Sequence, residues 1–290
     1  MRRSPARFVS SSFMMLRWFT IALALAFVGA RADAQVQTSA GAGTAAGILG
    51  TVDTFRTLLG PLNANVAGSF GSGRREINWD GVPDSRSAPN SLPANFFNAN
   101  SPRGVEFSTP GTGFAVSANS GLATPVEFGN IDPSYPNTFA PFSAQRLFAA
   151  IGSNIVDVNF FIAGSPTAAF TRGFGVVFSD VDLASTTSLE LFDGANASLG
   201  TFFAPTGAFS FLGVSFGSSL VSRVRITNGN SALAAGVLDG GNQDLVVMDD
   251  FIYAETVIPE PGTYALLAAG LLFVAIMRRR RHDAVHGGGL

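Results

Sequence analysis

Two adjacent aspartates, Asp249 and Asp250, interrupt an otherwise apolar strand pattern late in the chain. Apolar residues of both parities surround them, so the strand is expected to be covered on both faces. Neighbouring residues of a strand alternate between faces, so the two carboxylates are expected to point in opposite directions. A carboxylate that faces a core is costly unless it is paired or binds a cation.

A structural calcium ion would satisfy these aspartates. Calcium takes roughly six to eight oxygen ligands, which loops at a sheet edge can provide. Further donors for such a site are Asp180, Asp182, Asp239, Asp244 and the carbonyls of residues 228–230. The alternative is that one aspartate of the pair forms an ion pair with Arg223 or Arg225, while the other faces water.

The second candidate site surrounds Trp79, the only tryptophan after residue 34. An indole beside carboxylate and amide groups can hold a sugar, because the ring stacks while the polar groups bind hydroxyls. The segment therefore predicts carbohydrate binding by Trp79 with Asn78, Asp80 and Asp84. The alternative is a core tryptophan that is followed by a tight turn at Asp80-Gly81.

The same segment could instead support catalysis. Glycosidases use two carboxyl groups that lie roughly 5–10 Å apart, and Asp80 with Glu76 or Asp84 could supply them. Other enzyme chemistry is limited by composition, because the chain has no Cys or Lys and its two His residues, His282 and His286, follow the last apolar segment. Thiolate, triad, Schiff-base and ordinary zinc sites are excluded from the body. We expect a protein that is not an enzyme and needs no cofactor except, at most, structural calcium.

The charge balance of the body limits its partners. Residues 35–257 contain 17 Asp and Glu against 9 Arg, a difference of −8. An acidic surface repels phosphate backbones, so nucleic acid is not an expected partner. Divalent cations and neutral sugars remain compatible with this charge.

The body is predicted to be mainly β. Candidate strands at 155–162, 174–179, 187–192, 198–203, 209–216, 222–227 and 244–253 are separated by Gly, Asn, Asp or Pro. Shorter candidates lie at 76–79, 105–108, 114–118 and 126–128. This spacing is typical of a sandwich or barrel, and we predict a single, jelly-roll-like β-sandwich over residues 51–257. One short helix, with Thr51 as N-cap, is predicted to precede Gly60-Pro61, after a flexible leader at 35–50.

The N-terminus predicts export. Arginines before position 18 precede a short apolar stretch and an Ala-x-Ala site that ends at Ala34. This order is typical of a secretory signal peptide. Signal peptidase is therefore expected to remove residues 1–34.

Three features close the chain. The motif Pro259-Glu260-Pro261 is followed by an apolar run, predicted as a transmembrane helix at about 263–277, and then by Arg278, Arg279, Arg280 and Arg281. An uncharged helix satisfies its own backbone in lipid, although this one is short against the roughly 17–25 residues of a full crossing. Clustered arginines stay cytoplasmic, so residues 282–290 form a cytoplasmic tail and the body faces the periplasm.

This order of motif, helix and arginines resembles the PEP-CTERM sorting signal. The resemblance covers residues 258–281 and implies recognition by an exosortase-type transpeptidase in a Gram-negative bacterium that makes exopolysaccharide. The Phe-rich body, which ends with Asp249-Asp250-Phe251, also loosely resembles the β-sandwich bodies of such proteins. The alternative is an ordinary C-terminal anchor that is never cleaved.

Together these features predict an exported, non-enzymatic protein. It would pass through an inner-membrane intermediate to the cell surface or biofilm matrix, and any ligand is expected to be exopolysaccharide. Two alternatives stay open: a polysaccharide hydrolase or lyase that uses paired carboxylates, and a purely structural matrix protein.

Overall fold

The computed structural model describes residues 34–258 and, apart from them, Gly270. The chain divides between Ala34 and Gln35, and the elements below belong to the second unit. The predicted signal peptide before Ala34, the sorting motif and the transmembrane helix at about 263–277 lie outside the described residues. Within the described residues, no helix has the length and apolarity to span a bilayer.

Two antiparallel sheets make up the body. The first contains β1 (Val36–Ala42), β2 (Arg74–Ile77), β4 (Gly113–Val116), β5 (Phe148–Ile151), β7 (Gly173–Val181), β10 (Gly207–Ser215) and β12 (Val247–Ala254). Its order is β1-β10-β7-β12-β5-β4, and β2 pairs with β12 beside β5. The second sheet, in the order β3-β6-β11-β8-β9, contains β3 (Val105–Ser108), β6 (Ile155–Phe160), β8 (Ser188–Phe192), β9 (Ser198–Phe203) and β11 (Arg223–Thr227).

The two sheets share one apolar core, because β3, β6, β8 and β11 of the second sheet each place alternate apolar residues toward the first. In β11, Val224 and Ile226 are fully buried in that core. Arg223 and Arg225 have the opposite parity and bind Asp157 of β6 at 2.7 Å and 2.8 Å. The predicted alternation of β11 is therefore confirmed, and its arginines are occupied by a neighbour within their own sheet.

Helix α1 (Ala45–Leu59) covers the outer face of the first sheet. The ring of Phe55, on this helix, lies over Gly175 of β7 and Gly213 of β10, which pair with each other. A β-carbon at either glycine would lie 2.7 Å from that ring. The glycine pair therefore leaves the space into which the helix packs.

Several predictions of local structure need correction. The helix begins after Thr44 and not after Thr51. Residues 36–42, expected in a flexible leader, form β1, which pairs along its length with β10. Strand β5 was not predicted, and residues 126–128 form no strand. The remaining described helices are short: a 3-10 turn (Asp84–Arg86), a π-helical turn (Phe96–Asn100) and α2 (Tyr135–Thr138).

Candidate functional site

Asp249 and Asp250 form a bulge in β12. Met248 pairs with Phe178 and Phe251 pairs with Val176, so the two aspartates together face one residue of β7. A bulge turns its residues away from strict alternation. Both carboxylates consequently reach the same hydroxyl: Oγ of Ser143 lies 3.1 Å from Asp249 Oδ1 and 2.7 Å from Asp250 Oδ1. The prediction that they point in opposite directions is wrong.

Protein groups already satisfy this buried pair. The backbone N–H groups of Phe142 and Ser143 donate to Asp249 Oδ2 at 2.6 Å and 3.1 Å. Arg56 of helix α1 binds Asp250 at 2.9 Å and Glu76 of β2 at 3.0 Å. Burial, reinforced by the negative charge of Asp250, raises the pKa of Asp249 well above its usual range.

The pair is therefore a structural centre that ties the helix to the sheet. A guanidinium already occupies the position beside Asp250 that a cation would need. The pair does not join the other predicted calcium ligands, and its arginine partner is Arg56 instead of Arg223 or Arg225. Neither Arg56 nor Ser143 carried a sequence signal for this role, since their positions depend on how the helix and a loop fold over β12.

Trp79 belongs to the core. It is 1% exposed, stacks on Phe148 with ring centroids 4.0 Å apart, and contacts the edges of Phe97 and Phe251. Its indole N–H donates to the backbone carbonyl of Asp249 at 2.8 Å. The predicted stacking of a sugar on Trp79 is therefore contradicted, and the alternative of a core tryptophan holds at this position.

The polar neighbours of Trp79 are also committed to the fold. Asp80 accepts from the backbone N–H groups of Gln145 and Arg146 at 2.6 Å and 3.1 Å. Asp84 binds the buried guanidinium of Arg146 at 2.5 Å. Asn78 is exposed but borders a gap of only about 20 Å³ beside the indole, too small for a sugar.

Three other predicted ligands do come together, at the end of the body where β7 finishes and β12 begins. Carboxylate oxygens of Asp180, Asp182 and Asp239 lie within 4.8 Å of one another. Asp244 lies behind them, where its carboxylate accepts from the N–H of Asp182 at 2.9 Å. Asp239 accepts from the N–H of Leu245 at 2.8 Å. The calcium hypothesis is thereby narrowed to Asp180, Asp182 and Asp239.

Crowding of like charges defines the electrostatics of this acidic cluster. Burial, followed by repulsion from Asp182, Asp239 and Asp244, raises the pKa of Asp180 to about 7. Burial is also the main cause of the raised pKa of Asp239. A bound divalent cation would offset this repulsion, since a positive charge favours the ionised carboxylates.

The opposite end of β12 leads to the C-terminal segment. Val257 exchanges two backbone hydrogen bonds with Phe170, at 2.8 Å and 2.9 Å. Just before it, Glu255 forms a fully buried ion pair with Arg75 at 3.0 Å. The chain is thus fixed to the body up to Val257, two residues before Pro259.

Comparisons with known proteins identify only this C-terminal segment. A family model for the PEP-CTERM protein-sorting motif matches residues 257–281, which contain Pro259-Glu260-Pro261 and the four arginines. No curated protein and no solved structure matches the chain. This motif marks exported proteins that an exosortase-type system sorts through the membrane. The chain is accordingly a PEP-CTERM domain-containing protein.

Proposed function

We propose that this protein is a non-enzymatic structural component of the cell surface or extracellular matrix. An exosortase-type transpeptidase would deliver it there from an inner-membrane intermediate whose body faces the periplasm. The observation that carries the proposal is the sorting motif at residues 257–281. The body would act after delivery as a stable, folded unit.

The body is proposed to be a jelly-roll β-sandwich. Its last eight strands support this, because they give β5-β12-β7-β10 in one sheet and β6-β11-β8-β9 in the other. Interleaving of this kind arises when paired strands roll up as two Greek keys. Such a fold without cysteine depends on burial, and the Phe-rich core provides it.

A structural role is favoured over hydrolysis because the candidate carboxylates already have partners. Glu76 binds Arg56 and Arg74, Asp84 binds Arg146, and Asp80 caps two backbone N–H groups. A glycosidase would need two carboxyl groups that face a shared cleft. Matrix exopolysaccharide remains the ligand class that the destination offers, and contact with it would use a surface other than Trp79.

The proposal is tested by changing the motif in the native host. A variant that combines Pro259→Ala with Glu260→Gln should accumulate at the inner membrane, while the unaltered protein reaches the surface or the medium. Pro110→Ala, at an exposed proline of the body, serves as the matched control and should be delivered normally. Equal distribution of the motif variant and the control would refute sorting through this motif.

A further inference from the structure

We propose that the end of the body from which the C-terminal segment emerges lies against the lipid headgroups while the sorting signal is still attached. This inference rests on the proposed inner-membrane intermediate and deepens it, since it assigns a membrane-contacting surface to the folded body. We call this surface the exit face and define it by the loops at 61–73, 161–171 and 216–222 together with residues 256–258.

The residues that define the exit face are uncharged, and the charged residues Arg172 and Asp193 lie at its border. None of its three loops contains Asp, Glu, Lys or Arg, and neither do residues 256–258, although the body has 26 charged residues elsewhere, 17 acidic and 9 basic. The neighbouring Glu255 is buried in its pair with Arg75. An uncharged surface on an otherwise acidic domain avoids the repulsion that anionic lipids would exert on the rest of the body.

Apolar side chains project from this surface. Val66 and Phe70 are each 50% exposed and Ile258 is 58% exposed. Beside them lies a groove of about 850 Å³, lined by Ile162, Leu220 and Val257 among others. Exposed apolar patches of this kind mark interaction sites in soluble domains, and Phe is among the apolar residues that interfacial surfaces bury at the headgroup boundary.

Backbone bridges hold the loops of the exit face together. Gly68 pairs with Ala163, Thr171 pairs with Val221, and Phe170 pairs with Val257. Arg75 further fixes the first loop by donating to the carbonyls of Val66 and Gly68 at 3.2 Å and 2.9 Å. The face is therefore a preformed surface whose orientation follows that of the emerging chain.

Chain length keeps this face close to the bilayer. Only residues 259–262 separate Ile258 from the apolar run that begins at Thr263. Five Cα steps at about 3.3–3.6 Å each span at most about 18 Å. While that run is in the membrane, Ile258 and the loops beside it are held at or near the headgroup layer.

The acidic cluster lies at the opposite end of the same strands. Strand β7 runs from Gly173 at the exit face to Val181 beside the cluster, and β12 runs antiparallel to it. Eight Cα steps at about 3.3 Å each separate the two ends of β7 by roughly 26 Å. The body thus turns the uncharged loops of the exit face toward the membrane and its acidic cluster away from it, which favours lipid over a charged protein partner as the occupant of the exit face.

Site-specific labelling tests the proposal, because the chain contains no cysteine that would compete for the label. The mature chain from Gln35 is reconstituted into vesicles of phosphatidylethanolamine and phosphatidylglycerol with spin-labelled lipid. An environment-sensitive fluorophore is attached at Phe70→Cys or, since Phe70 contacts the Arg75 guanidinium, at Val66→Cys. Leu238→Cys is the matched control, since Leu238 is 54% exposed beside the acidic cluster.

The proposal expects the labels at positions 66 and 70 to lose most of their fluorescence to the spin-labelled lipid, while the label at 238 keeps its signal. If the protein floats with the vesicles but all three labels stay aqueous, the membrane contact is refuted and the anchor survives. The exit face would then be free for a protein such as the transpeptidase. If the protein does not float with the vesicles, both the anchor and the contact are refuted.

Discussion

Loss of the buried charge at Glu255 should strongly destabilise the body. The carboxylate is 1% exposed, and each of its two oxygens lies 3.0 Å from Nε of Arg75. It also accepts from the side-chain amide of Asn63 at 2.6 Å. In Glu255→Gln the guanidinium would remain buried without a counter-charge, and the new NH₂ group would face N–H donors.

The expected cost follows from this geometry. Removing one partner of a buried ion pair typically costs about 3–5 kcal/mol, because the remaining charge stays out of water. Arg75 cannot escape by turning, since its other nitrogens donate to carbonyls of Ala64, Val66, Gly68 and Pro102 at 2.9–3.3 Å. Loosening these contacts would also loosen the first loop of the exit face.

Urea unfolding of the body, followed by tryptophan fluorescence, measures this cost. Asp53→Asn is the matched control, since Asp53 pairs with Arg56 at 3.1 Å on an exposed helix surface and such pairs contribute at most about 1 kcal/mol. Glu255→Gln should lower the free energy of unfolding several times more than the control. Equal losses in the two variants would refute the argument that Arg75 and Glu255 anchor the chain exit.

Other predictions concern the core and the acidic cluster. Fluorescence of Trp79 should not respond to added polysaccharide, and a sugar-dependent signal would contradict its place in the core. Trp79→Phe should cost about 1–3 kcal/mol in urea unfolding followed by circular dichroism, because the carbonyl of Asp249 would lose its hydrogen-bond donor. Gly175→Ala should cost about 1–3 kcal/mol by crowding the helix ring above it, whereas Gly81→Ala, in open space, should cost less; similar losses would argue against the proposed packing. The folded-state pKa of Asp180 is about 7, raised from 3.8, so the folded state binds the proton more tightly. The free energy of unfolding should therefore fall as pH rises from about 4 to 7. Unfolding measured across this range should show a smaller fall in Asp180→Asn, and added Ca²⁺ should oppose the fall in the unaltered protein; identical pH profiles would contradict the assignment.

Regular strands were predictable because their signal is local. The alternation of Val224 and Ile226 against Arg223 and Arg225 predicts the faces of β11, and turn residues delimit it. Strand β1 has no comparable signal, since the small residues of 36–42 are ordered by pairing with β10. Strand β5 was not predicted for the same reason. Its sequence, Phe-Ala-Ala-Ile, has no alternation of polar and apolar residues, and it forms a strand because it pairs with β4 and β12.

The candidate sites were less predictable because they depend on contacts between residues that are far apart in the sequence. From the sequence, Asp180, Asp182 and Asp239 were predicted as calcium ligands together with Asp249 and Asp250. The structure shows two different sites, because a bulge in β12 directs Asp249 and Asp250 toward Ser143 and brings Asp250 to Arg56. In the sequence alone, a tryptophan beside acidic residues is compatible with a sugar-binding site and with a position in the core. Its burial is decided by the aromatic rings of distant strands, which pack around it.

Export and sorting through the C-terminal motif can be tested by measuring the intact mass and the location of the mature protein in its native host, with and without the transpeptidase. We expect a chain that begins at Gln35, ends near Pro259 and lies outside the cell only when the transpeptidase is present. A chain that retains residues 259–290 and stays in the inner membrane in both strains would refute sorting by the transpeptidase.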